Sequence, residues 1–249
     1  MASYDRFAPH FDAWQRAFGP PYDELVLPHL LAALARHGRD VRRIADLGAG
    51  TGDLAVALAR RGFAVVGVDC SVPMLALARA KAAAAGLAEP PVFVAQDLRA
   101  LQLARPVDAA VCVYTVMNQL TGDGDLDRAL AAVRGALVPG GLFLFELNLA
   151  ASYARYWSGT ETVRLADAVV VREHRRLAGA PVIEARVRIR GPEGEAEDRI
   201  AQRLYTEVEV EHAVAAAGLD VVERTEFNPF AAHGPAMKAL WVVRRRCGR

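Results

Sequence analysis

"RRIADLGAGTGDLAVAL" (residues 42–58) places three glycines within five positions, between an apolar run and an alanine-rich run. The first run reads as a strand and the second as a helix, so Gly48, Gly50 and Gly52 occupy a strand-to-helix turn. Such a turn lets backbone approach a ligand closely and aims free N–H groups at it. Outward from this unit the alternation continues. "FAVVGVD" (63–69) reads as a strand and "SVPMLALARAKAAAAG" (71–86) as a helix closed by Gly86. "PVFVAQD" (91–97) and "VDAAVCVYTV" (107–116) read as strands, "GDLDRALAAVRGAL" (124–137) as a helix, and "GLFLFELN" (141–148) as a strand. Short apolar strands alternating with helices predict a doubly wound, Rossmann-like α/β domain with a parallel sheet covered on both faces.

The flanks differ from this core. "YDRFAPHFDAWQRAF" (4–18) sets Tyr4, Phe7, Phe11, Trp14 and Phe18 on one helical face. That stripe reads either as core packing or as a lid over a ligand. A second helix is predicted over 21–38, ending at Gly38. After a short helix at 151–157, three strands are predicted, at 169–177, 180–195 and 198–206. The middle one alternates Ile183, Ala185, Val187 and Ile189 with Glu184, Arg186, Arg188 and Arg190. Turns at 179–181 and 191–194 make this an antiparallel meander with a solvated charged face. A helix (207–218) and two strands (219–227 and 237–246) close the chain. The loop joining those strands is too short for a parallel crossover, so they form an antiparallel edge hairpin. The resulting division is a helical lid (1–40), a core (41–150), a β insertion (151–206), and a closing helix and hairpin (207–249).

Composition narrows the function classes. The net charge of +1 argues against a nucleic-acid partner, which calls for a basic surplus. Three widely separated cysteines form no C-x-x-C pair, which points away from a disulfide framework or zinc site and toward a reducing, cytoplasmic setting. No apolar run reaches the roughly 20 residues needed to cross a bilayer, and "MASYDRFAPHFDAW" lacks the apolar core of a signal peptide. Neither a metal nor a membrane partner is expected.

The glycine spacing G-x-G-x-G is one residue shorter than the dinucleotide fingerprint. Asp46, two residues before Gly48, would meet like charge at a pyrophosphate and suits a cationic ligand end; it also suits a loop brace. Asp69 ends the second strand, where an acid accepts from two ribose hydroxyls or caps the following helix. Asp97 follows the third strand and can accept from an exocyclic adenine amine, or stand as an exposed loop acid.

"ADLGAGTGDLAVALARRG", "VVGVDCSVPMLALAR", "FVAQDL" and "ALVPGGLFLFELN" resemble, in order and spacing over residues 41–148, the successive motifs of class I S-adenosylmethionine-dependent methyltransferases. The resemblance implies a seven-stranded sheet with a reversed final strand, and S-adenosylmethionine as cofactor. It implies cofactor contacts at Asp46, Gly48, Ala49, Gly50, Asp69, Cys70, Met74, Asp97 and Leu98, with Val113 on the floor. The N-terminal stretch resembles the aromatic helix that closes over the cofactor in small-molecule methyltransferases, which adds Tyr4 and Trp14. The β insertion resembles one in amino-sugar N-methyltransferases, where it forms a substrate lid or a homodimer contact. Gln119 stands where those enzymes carry a histidine, a departure from the sugar-amine pattern.

The implied reaction is in-line methyl transfer to an N or O nucleophile of a small molecule. Much of its catalysis is alignment and exclusion of water. A base is needed only for a protonated nucleophile. Tyr114 and Asn118 are the catalytic candidates by placement after the fourth strand; His10, His174 and His233 are alternatives. A domain that binds the cofactor without turnover, as a sensor or scaffold, is the competing expectation.

Overall fold

The structure, a computed structural model, describes residues 4–192, 194–231 and 233–247. Helices α1 (Ala8–Arg16) and α2 (Tyr22–His37) precede the sheet. There follow β1 (Arg43–Leu47), α3 (Asp53–Ala59), β2 (Ala64–Asp69), α4 (Val72–Ala84), β3 (Val92–Ala95), β4 (Val107–Cys112), α5 (Asp125–Ala136) and β5 (Leu137–Asn148). A short helix α6 (Ala150–Tyr156) leads to β6 (Thr160–Arg164), β7 (Val169–Arg176), β8 (Val182–Gly191) and β9 (Gly194–Arg203). The chain closes with α7 (Glu207–Ala216), β10 (Leu219–Phe227) and β11 (Lys238–Arg245). Residues 1–3 of the expected lid, Glu193 of the turn at 191–194, Ala232 and residues 248–249 lie outside the described residues.

Seven strands form one sheet in the order β10-β11-β5-β4-β1-β2-β3. Strands β1 to β5 are parallel, and β11 runs antiparallel to both β5 and β10. The order reverses between β1 and β4, which opens a crevice at the carboxyl ends of those strands. Apolar strands bury both sheet faces: Ile44, Val111 and Leu144 under α2 and α3, and Leu47, Phe143 and Trp241 under α5 and α7. Strands β6 to β9 form a second, wholly antiparallel sheet. The alternation in β8 is real, with Ile183, Ala185, Val187 and Ile189 buried. These residues meet Phe7, which precedes α1, and Trp14 of α1 in a third apolar cluster.

Three local expectations change. The second sheet has four strands rather than three, β6 having been missed. Strand β5 starts at Leu137, before the expected start at Gly141, running through Pro139 and Gly140. Strand β4 stops at Cys112, because Tyr114 and Thr115 adopt positive φ angles of 56° and 71° that no strand accommodates.

The three glycines of the opening turn do two different jobs. A Cβ on Gly48 would lie 2.3 Å from Val116 Cγ2, and one on Gly52 2.8 Å from Ala78 Cβ, so these two make room for protein. Gly50, at φ 53°, has open space in that direction.

Candidate functional site

The glycine turn forms one wall of a cavity of about 450 Å³ at the carboxyl ends of β1, β2 and β4. A second cavity, of about 500 Å³, adjoins it under α1, walled by aromatic side chains. Tyr4, Phe11 and Tyr114 line both.

Of the residues expected from sequence, Tyr4, Gly48, Gly50, Asp69, Cys70, Met74, Asp97, Leu98 and Tyr114 line the first cavity. Asp46, Ala49 and Val113 lie behind its wall, 2%, 9% and 8% exposed. Trp14 faces the second cavity instead. It is one turn beyond Phe11 on α1, and that step carries it past the junction.

Asp69 holds the glycine turn. One carboxylate oxygen accepts from Gly50 N at 2.8 Å and the other from Ser71 N at 2.8 Å. Each oxygen keeps lone-pair capacity toward the cavity. Burial raises its pKa, against the pull of those backbone donors. Asp97 caps a short 3-10 turn through Arg99 N and is gripped by the Arg99 guanidinium, which lowers its pKa. Arg99 also reaches Asp125, so any adenine amine would share Asp97 with it. Asp46 is fully enclosed at the foot of the turn. Burial, reinforced by the Asp69 charge, pushes its carboxyl up to about 7. Its Oδ2 is buried with no hydrogen-bond partner. An orphaned acceptor beside an open glycine cradle fits a ligand that brings an ammonium donor.

Tyr114 sits on the strained turn after β4, where positive φ in two non-glycine residues is held by surrounding bonds. Tyr114 N donates to Glu146 Oε1 at 2.7 Å. The same carboxylate accepts from the Tyr22 hydroxyl and, at 2.9 Å, from Lys238 Nζ. Glu146 and Lys238 form an ion pair that is almost completely buried. The ring of Tyr22 lies 4.6 Å from that of Tyr114, so Glu146 fixes the Tyr22 phenol and the Tyr114 backbone beside the second cavity.

Asn118 requires a correction. It is fully buried, its amide donating to Arg203 O at 3.0 Å and its carbonyl accepting from Asn148 N at 3.0 Å. With both ends engaged, it braces β5 against β9 and reaches neither cavity. The histidines also lie elsewhere. His10 faces Asp167 at 3.8 Å, and His233 is exposed. His174 packs at a tilt against Trp157, with burial lowering its pKa to about 4.

Several lining residues escaped the sequence reading. Glu184 and Arg199, expected on a solvated face, line the first cavity. Tyr22, Glu161 and Lys238 line the second. Lys238 carried one available signal, since lysine occurs only at 81 and 238. Lys81 is likewise engaged, bridging Asp12 of α1 and Asp53 of α3.

Comparison with known proteins places this geometry. Residues 44–141 match the family described as "Methyltransferase domain". A Geobacillus sp. (strain WCH70) protein named as a methyltransferase is 33% identical over 147 residues, 59% of this chain and 58% of its own. The chain spans about half the length of curated relatives it matches. A dTDP-3-amino-3,6-dideoxy-alpha-D-glucopyranose N,N-dimethyltransferase of Streptomyces fradiae is 29% identical over 85% of this chain and 80% of its own. The structure of S-adenosylmethionine-bound CalS10, an amino pentose methyltransferase from Micromonospora echinaspora, superimposes with a TM-score of 0.70 at 25% identity, covering 94% of this chain and 96% of that one. With its glycine turn and reversed seventh strand, the chain has the fold of the S-adenosylmethionine-dependent methyltransferases it resembles, and its residues 44–141 match a methyltransferase domain.

Proposed function

We propose that this chain transfers a methyl group from S-adenosylmethionine to a nitrogen or oxygen nucleophile of a small molecule held in the second cavity. The observation that carries this reading is the pair of adjoining cavities sharing Tyr4, Phe11 and Tyr114 as their common wall. Direct displacement needs donor and acceptor in line across a short gap, and a shared wall is where they would meet. The bound cofactor supplies an already activated sulfonium methyl. The chain's own work is then to bind, align and keep water out.

In this reading Asp69 holds the ribose hydroxyls and Asp46 answers the methionine ammonium. Leu98 and Met74 bound the adenosine apolarly, and Asp97 accepts from its amine. Tyr4, ahead of α1, and Phe11 on α1 cover the junction. Tyr114 lines it with a phenol whose pKa is raised by burial, so it stays protonated and orients rather than deprotonates. The Streptomyces fradiae relative is named as an N,N-dimethyltransferase, which supports nitrogen as the acceptor atom. A small-molecule acceptor suits an aromatic-walled cavity of this size.

Calorimetry with S-adenosylhomocysteine tests the cofactor assignment. Binding in the micromolar range is expected, and Asp69→Ala should weaken it at least about ten-fold, equivalent to about 1.4 kcal/mol. Absent binding rejects the function, and an unchanged affinity in the variant rejects the ribose role. Methyl transfer to any amine or hydroxyl acceptor separates an enzyme from a domain that only binds the cofactor.

A further inference from the structure

The second cavity has a chemical bias that narrows its occupant. Its walls are predominantly aromatic: Phe11, Trp14, Tyr22, Tyr156, Trp157 and Phe230 all face it. Its charges are few, and they do not balance. Lys238 is neutralised by Glu146 at 2.9 Å, and Glu161 is the lone acid in the lining. Against Glu161 stand Arg155, at the exposed rim, and Arg172.

Arg172 is unusual. It projects from β7 of the second sheet and is only 8% exposed. Its guanidinium lies over the ring of Trp14 at 4.8 Å and over that of Trp157 at 5.4 Å. Stacking between two indoles fixes the plane of the fork. Its carboxylate contact is weak: Nη1 to Glu161 Oε1 measures 3.5 Å, and Glu161 also accepts from Trp14 Nε1 at 3.3 Å. A planar cation this far removed from water ordinarily meets a close, two-point acceptor. Here the long single contact leaves most of that donor capacity unused. The charge also reaches the junction of the cavities. Burial raises the pKa of the Tyr4 and Tyr114 phenols, and Arg172 is a counterweight at both.

We propose that the acceptor is a flat, apolar molecule carrying an oxyanion, and that Arg172, held between Trp14 and Trp157, is the residue that recognises the anion. The aromatic walls take the apolar body, and the guanidinium fork takes a carboxylate or phosphate oxygen pair. This rests on the reading of the second cavity as the acceptor site. It makes Arg172 a specificity residue: it sets which acceptors enter and in what orientation, and takes no part in bond making.

The test uses three probes of one shape: 2-naphthoate, 2-naphthyl phosphate and the neutral 2-naphthamide. Each is titrated into the full chain saturated with S-adenosylhomocysteine, with quenching of Trp14 and Trp157 fluorescence as the readout. At least one anion should bind ten-fold or more tightly than the amide, and which anion wins distinguishes carboxylate from phosphate. Arg172→Met should abolish that preference while leaving amide binding within two-fold, and Arg172→Lys should retain part of it. S-adenosylhomocysteine affinity, measured on the same samples, reports that each variant is folded. Equal binding of all three probes, no binding of any, or a preference that survives Arg172→Met overturns the proposal. Failure of S-adenosylhomocysteine to bind the wild type would instead overturn the methyltransferase reading beneath it.

Discussion

Asp46 has two properties that oppose each other in the ligand-free chain: complete burial and an oxygen without a donor. Its carboxyl, lifted to about 7, holds a proton that the unfolded chain releases near 4. Between those values the folded state binds more protons than the unfolded one, so stability falls as pH rises through this window and levels off above it. An ammonium ligand reverses the preference, because it selects the ionised form. Affinity for S-adenosylhomocysteine should therefore increase from pH 6 to pH 8. Asp46→Asn should bind more weakly with a flat profile, and its free form should lose the stability slope between pH 4 and 7. Calorimetry across that range checks the first part and denaturation at matched pH the second. An Asn variant with the wild-type binding profile would remove Asp46 from the cofactor site.

At the scale of elements, α1 is docked by polar contacts on both flanks. The Asp198 carboxylate on β9 accepts from Arg6 N at 3.0 Å and Phe7 N at 2.8 Å, capping the helix from another sheet. On the other side Ser71 Oγ donates to Asp5, and Thr51 Oγ1 and Lys81 bond to Asp12. Asp198→Ala leaves two N–H groups without a partner, at about 1–3 kcal/mol each. A thermal midpoint lowered by several degrees is expected, since about 1 kcal/mol shifts a chain of this size by roughly 2–4 °C. Asp198→Asn keeps an acceptor and should recover most of the loss; equal midpoints for all three proteins would dismiss the cap. Sequence gave no hint of this cap, because its two halves are 191 residues apart. The same limit separates what was legible from what was not. The core strands were readable because each is a continuous apolar run. Strand β6, "TETVR", was not, since Val163 alone among its residues is buried. The end of β4 was hidden because positive φ falls on a tyrosine and a threonine, neither of which advertises it. Glu184 and Arg199 read as solvated because alternation reveals which face is polar and not what that face looks onto.

The whole molecule joins two apolar bodies through α1, and this decides between a lid and a core helix. The two clusters flanking the seven-stranded sheet contain no residue of α1. The third cluster contains Phe7 and Trp14, 1% and 8% exposed, packed with Tyr153, Ala185, Val187 and Ile200. Aromatic burial on that scale is worth about 1.5–3 kcal/mol per side chain. Phe11 lies between them on the helix and faces both cavities. One helix thus covers the site with one residue and completes the second sheet with its neighbours. Removal of residues 1–18 should accordingly do two separable things. The seven-stranded sheet should still fold and retain S-adenosylhomocysteine binding, weakened by loss of Tyr4 and Phe11. The second sheet, stripped of Phe7 and Trp14, should bind an apolar dye and melt in a separate, earlier transition. Methyl transfer should be lost, because the wall shared by the two cavities loses two of its three residues. A truncated chain that melts in one step without dye binding would make α1 a simple lid. One that loses cofactor binding altogether would make it part of the main core, against the separation of the clusters.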